Sequence, residues 1–246
     1  MNKKIMTLVA VAAIASLTAR GAAHEKLTPE QREQRRYQRT GGFVRKAVSG
    51  KSLYIQAAAN VKSFARLESV AKEIDDLMLI PVKVSTNDAS READCGAVLH
   101  VIDDAAVADV LTVRPEKVSA TVNISPLKTA DEALFNKRIG KEVWRALGFM
   151  AGAGYSQIRP TVMVDVRSVA ELDANEGYTL SPDAFSNVLA TMRRCGIEQI
   201  RVATFRTACE EGWAPAPTNE VQKAIWDKVH TLPTEPIRIL PKSQKK

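Results

Sequence analysis

The most specific chemical spacing in this chain lies in the run Lys141-Glu142-Val143-Trp144-Arg145-Ala146-Leu147-Gly148-Phe149-Met150-Ala151-Gly152-Ala153-Gly154. On a helix, positions i and i+4 share one face. Residues 141 and 145 are therefore spaced to present two ligands to one metal ion, with residue 142 beside them to polarise a metal-bound water. A glycine at 148 would turn the chain so that residue 151 supplies a third ligand. That chemistry needs imidazoles at the three ligand positions. Glu142 and Gly148 are the residues it asks for, but Lys141, Arg145 and Ala151 stand where the ligands belong. A protonated Lys and a permanently charged Arg have no lone pair to donate, and they place positive charge where a dication would sit. No metal and no other cofactor is expected, so Glu142 loses the acidified water on which it would act as general base. An ion pair of Glu142 with Arg145 or Lys141 is expected in that space. The same residues also suit the solvated face of an amphipathic helix, with Gly148 a small residue for helix packing.

The other groups capable of chemistry are less organised. Gly152-Ala153-Gly154 lacks the strand before it and the helix after it that a phosphate cradle needs, and reads as a helix stop. Asp103-Asp104 follows an apolar run and reads as a turn, with cation binding the sharper alternative. Ser156 and Ser186 have no histidine near in sequence. His100 sits in an apolar run as a core histidine would, and neither it nor His230 has an evident partner.

The elements that must position the 141–151 run follow from periodicity. Leu53 to Gln56 suggests a strand, and apolar residues at 61, 64, 67, 70, 71, 74 and 77 have helical spacing. Residues 79–84 suggest a second strand. The nearly continuous run 96–102 suggests a strand buried on both faces, and 119–124 another, alternating and β-branched. A long helix is expected from about Thr129 to Met150, its stripe formed by Phe135, Ile139, Val143, Ala146, Leu147 and Met150. Beyond Pro160, Thr161 to Val166 is β-like, and helices are expected over 182–194 and 219–229, with Trp213 and Trp226 as packing anchors. The order predicts an α/β domain.

In element order from Ser52 to Gly154, and in the phrase Glu-Val-Trp-Arg-Ala-Leu-Gly-Phe-Met-Ala-Gly-Ala-Gly, the chain resembles a metzincin zinc peptidase, most of all the archaemetzincin-like group. The family pattern HExxHxxGxxH is met as KExxRxxGxxA, and the family's cysteine-rich zinc site is absent. The resemblance implies a zincin-like mixed β-sheet with two covering helices and an irregular, helical C-terminal part. It also implies that Met163 stands in for the methionine that metzincins place under the metal. With the ligands replaced, it implies an inactive peptidase homologue whose cleft binds a peptide or an acidic group, held by Lys141 and Arg145. The competing expectation is an active exported hydrolase, with atypical metal ligands or another nucleophile.

Composition sets the location. Asn2, Lys3 and Lys4, the apolar stretch Ile5 to Ala19 and the small residues Gly21-Ala22-Ala23 read as a cleavable signal peptide over 1–23. The stretch is too short and too interrupted for a span, so no membrane span is expected after signal removal, and the mature protein is expected in the periplasm or outside the cell. Residues 24–51 are read as a polar, basic leader, mobile or weakly helical, 52–240 as a single domain, and 241–246 as a basic tail. The formal charge of +7 sits in those ends. The body is mildly acidic, which argues against nucleic-acid binding. Of Cys95, Cys195 and Cys209, the pair Cys195 and Cys209 closes a short loop and is the disulfide expected in an oxidising compartment.

Overall fold

The computed structural model describes residues 28–158 and 160–231. The expected signal peptide at 1–23, the first residues of the leader and the basic tail at 241–246 lie outside them. The described residues form two compact units, one of 28–44 together with 202–231, the other of 45–201. The last helices build an apolar cluster of their own, Phe205, Cys209 and Ile225, separate from the main core.

The larger unit is a five-stranded sheet with helices. Its strands are β2 (Ser52–Ala57), β3 (Val82–Ser85), β4 (Cys95–Ile102), β5 (Leu111–Arg114) and β6 (Ser119–Asn123). Their order is β3-β2-β4-β6-β5. β2 runs parallel to both β3 and β4, and β4 runs parallel to β6, while β5 is antiparallel to β6 and ends the sheet. This is the mixed sheet that the resemblance implies. Strand alternation sends Leu53, Ile55, Leu99, Val101, Ala120 and Val122 to one face, where all are buried in a single core.

Two helices supply much of the rest of that core: α2 (Phe64–Met78) through Leu67, Val70 and Ile74, and α3 (Glu132–Met150) through Ile139, Val143, Ala146 and Leu147. The apolar residues recur at steps of three and four, so each helix presents one stripe to the sheet. Asp131 fixes the start of α3 by accepting a hydrogen bond from the Leu134 amide. Two further helices follow, the short α4 (Val169–Ala174) and α5 (Pro182–Arg194), the latter capped by Ser181 with Pro182 in its first turn.

The run 161–166 does not form a strand. It makes one backbone bond to the segment opposite, from Val162 N to Thr179 O at 2.9 Å, and Thr161 O is taken by the Asn175 side chain at 3.0 Å. A side-chain amide thus replaces the next rung of a ladder.

The smaller unit contains α1 (Pro29–Thr40), the paired short strands β1 (Phe43–Arg45) and β7 (Val202–Thr204), α6 (Phe205–Glu210) and α7 (Glu220–Thr231). The leader is therefore helical over 29–40. Trp226 packs on Phe205 and stacks on His230. The expected disulfide is not formed. Cys95, Cys195 and Cys209 are free thiols. Cys195 caps the end of α5 in the larger unit, whereas Cys209 is buried against Phe205 and Ile225 in the smaller one. Among the described residues no helix is long and apolar enough to cross a membrane.

Candidate functional site

An open cleft of about 850 Å³ lies in the 45–201 unit between the end of the sheet and the second half of α3. One wall is β5 with the segment before it, through Val110, Leu111 and Val113. The floor is α3, through Glu142, Arg145 and Phe149. The segment leading into α4, from Val166 to Val169, closes the other side. β5 is the last strand of the sheet, so one row of its backbone N–H and C=O groups has no partner strand among the described residues.

The charged residues of the 141–151 run are not a solvated face. Lys141 and Glu142 are each 1% exposed and Arg145 is 6% exposed. Their burial requires partners, because an isolated buried charge is far costlier than a paired one. Arg145 Nη1 donates to Glu142 Oε1 at 2.6 Å, the ion pair expected from the sequence. Burial pushes the Glu142 carboxyl above its ordinary value, and the charge and hydrogen bond of Arg145 pull the other way. The second oxygen, Glu142 Oε2, and Arg145 Nε are both buried without a protein partner.

Lys141 behaves differently from the expectation that it joins Arg145 in holding an acidic group. Its ammonium points away from the cleft and donates to the carbonyl oxygens of Leu172, at 2.7 Å, and Asn175. Those carbonyls belong to the last turn of α4 and to its capping residue, where a cation is favoured by the unpaired carbonyls and the helix dipole. Burial lowers the Lys141 pKa, and the nearby charge of Lys137 adds to this. Next to it, Arg138 pairs with Asp173 at 2.6 Å. Two basic residues of α3 thus fasten α4, and so one wall of the cleft.

The remaining motif residues take structural places. Gly148 faces away from the cleft: a β-carbon there would lie 2.6 Å from Met163 Sδ and 3.1 Å from Leu180. Met163 is fully buried under that glycine and does not line the cleft. Ala151 caps the end of α3 and is half-buried, while Gly152 and Ala153 beyond it reach the cleft. His100 is half-buried on the sheet, and burial lowers its pKa. Asp103 pairs with Lys128 at 2.7 Å, and Asn123 holds Asp104 through its amide and carbonyl, so the acidic pair forms a turn.

No family model matches this chain, and no curated protein matches it in sequence. Solved structures do match. The archaemetzincin of Methanopyrus kandleri is 16% identical, covers 59% of this chain and 97% of its own, and superposes with a TM-score of 0.49. The archaemetzincin of Archaeoglobus fulgidus, solved with malonate, is 19% identical over 55% of this chain and 99% of its own, with a TM-score of 0.42. A zinc-dependent peptidase of Methanocorpusculum labreanum is 16% identical over 56% of this chain and all of its own, with a TM-score of 0.45.

The residues present here do not fit a zinc ion. Neither a guanidinium locked on Glu142 nor an ammonium locked on two carbonyls offers a lone pair. Among the described residues, no group of three His, Cys, Asp or Glu is placed to hold a metal. Several cleft residues escaped the sequence reading: Leu111 and Val113 of β5, Tyr155, and Arg167, which pairs with Asp165 at 3.0 Å.

Proposed function

We propose that this chain is an exported, non-catalytic protein of metzincin-like descent whose cleft binds an extended peptide. One observation carries the reading: the helix positions that would hold a metal are occupied by a buried Glu142–Arg145 ion pair and by a Lys141 committed to backbone carbonyls. A carboxylate held by a guanidinium has no metal-bound water to deprotonate, so hydrolysis by that route has no nucleophile. The cleft itself is open and is bordered by an edge strand. An unpaired strand edge beside a groove is a template for an extended chain, with main-chain hydrogen bonds giving affinity and wall residues such as Leu111 and Phe149 giving selectivity. Export follows from the segment 1–23 as read from the sequence.

The test uses denatured casein as the peptide source. Incubated with the purified protein and zinc, it is expected to yield no new termini by mass spectrometry, while amide exchange over 111–114 slows. New termini that disappear with a chelator would contradict the reading.

A further inference from the structure

The smaller unit carries a surface that the cleft does not use. α1 is a well-built helix: Thr28 and Gln31 form a reciprocal capping box, Pro29 occupies the first turn, and Gly41 ends it in the left-handed conformation. Yet none of its residues is buried. Arg32, Arg35, Arg36 and Arg39 recur at i, i+3, i+4 and i+7, which places four guanidiniums along one stripe. At 100° per residue Glu30 falls on the opposite side of the helix and Glu33 on the flank of the stripe. Arg206 Nε donates to Arg39 O at 2.9 Å and brings a fifth guanidinium to the end of the row. Among the described residues Arg35, Arg36 and Arg39 form no ion pair. Like charges four residues apart destabilise a helix, so this pattern is unfavourable in the free protein and is relieved by an anionic surface. Beside the stripe, Phe43 is 64% exposed, and Arg36 lies over its ring at 5.5 Å.

We infer that the arginine stripe of α1 docks the protein on the anionic phosphate headgroups of a lipid bilayer. The guanidinium fork matches phosphate oxygens in pairs, and an exposed aromatic ring suits the headgroup layer. From Arg32 to Arg39 the row covers about 10 Å of this 12-residue helix, and its guanidiniums can meet a flat charged surface together. The choice of lipid over a polynucleotide rests on the export part of the proposed function, which places the chain beside a bilayer and away from nucleic acid.

The experiment is sedimentation of the full chain with vesicles of phosphatidylglycerol and phosphatidylcholine, against vesicles of phosphatidylcholine alone. Binding is expected only to the anionic vesicles, weakening as salt is raised. A triple variant, Arg35→Gln with Arg36→Gln and Arg39→Gln, is expected to bind on the order of a hundredfold more weakly, at about tenfold or less per charge removed. Arg91→Gln, a surface change in the other unit, is expected to bind like the parent chain. Any contribution of residues 1–23 is common to all three proteins. Equal binding to both vesicle types, no binding to either, or an unchanged triple variant overturns the inference, as does variant-sensitive binding to polyuridylate in place of vesicles. Cell fractionation with sequencing of the mature N-terminus reports export separately. A cytoplasmic chain that still binds anionic vesicles through these arginines would refute export and uphold the arginine stripe.

Discussion

Lys141 Nζ lies 2.7 Å from the carbonyl oxygen of Leu172, 31 residues further along the chain, and both atoms are buried. The contact joins α3 to the last turn of α4. Lys141→Met keeps the volume and removes the donor, leaving the Leu172 and Asn175 carbonyls without it. The expected loss is about 1–3 kcal/mol of stability by denaturant unfolding, with faster amide exchange over 165–177. The pH dependence has a definite sign. Burial lowers the folded pKa of Lys141 below its ordinary 10.5, so the folded state binds this proton less tightly than the unfolded chain does. The desolvation cost is full below the folded pKa and is relieved as pH rises toward 10.5. The parent chain is therefore expected to gain stability relative to Lys141→Met across that alkaline window.

The Glu142–Arg145 pair predicts strong non-additivity. Arg145→Met leaves a buried carboxylate without its cation and is expected to cost about 3–5 kcal/mol, whereas adding Glu142→Met is expected to recover most of that loss. Because burial already raises the Glu142 pKa, the single Arg145→Met variant is expected to grow less stable as pH rises from 4.5 through the folded value. Paired urea titrations of the two variants across that range check this.

Asp94 governs acid behaviour at the other end of the sheet. Hydrogen bonds from Lys83, Tyr54 and Ser52 hold its carboxyl down at about 2, against an ordinary 3.8. A depressed carboxylate contributes stability above its unfolded pKa and loses it as pH falls through the folded value. The stability difference between the parent chain and Asp94→Asn is expected to be constant above pH 4 or so and to shrink between 3.8 and about 2. Thermal melts at stepped pH measure it.

Gly177 is fixed by close approach. A β-carbon there would lie 2.3 Å from the carbonyl carbon of Thr161, a backbone atom that cannot swing away. Gly177→Ala is expected to destabilise the larger unit by about 3 kcal/mol or more. Gly148→Ala meets the flexible ends of Met163 and Leu180 and is expected to cost less, about 1–2 kcal/mol. Unfolding curves for the two variants give the order.

Most of the larger unit was legible because its elements are long and periodic. α5 starts and stops at the predicted residues 182 and 194, since Ser181-Pro182 is a strong start signal. β5 and α4 have only four and six residues, too few to establish a period, and both were missed. α1 was read only as a mobile or weakly helical leader because it has no apolar stripe, although Thr28-Pro29-Glu30-Gln31 spells its capping box. The Glu142–Arg145 pair was legible because its partners are one helical turn apart. The tether of Lys141 was not, because its acceptors are main-chain carbonyls of residues 172 and 175, and main-chain groups carry no signature in sequence.

Lys141 and Arg145 stand at the α3 positions where a metal would need ligands. The most direct measurement is the zinc content per chain, by plasma mass spectrometry, of protein purified in zinc-containing buffer and desalted. The account predicts far less than one equivalent, unchanged by Glu142→Gln. One equivalent of zinc per chain, lost in Glu142→Gln, would contradict it.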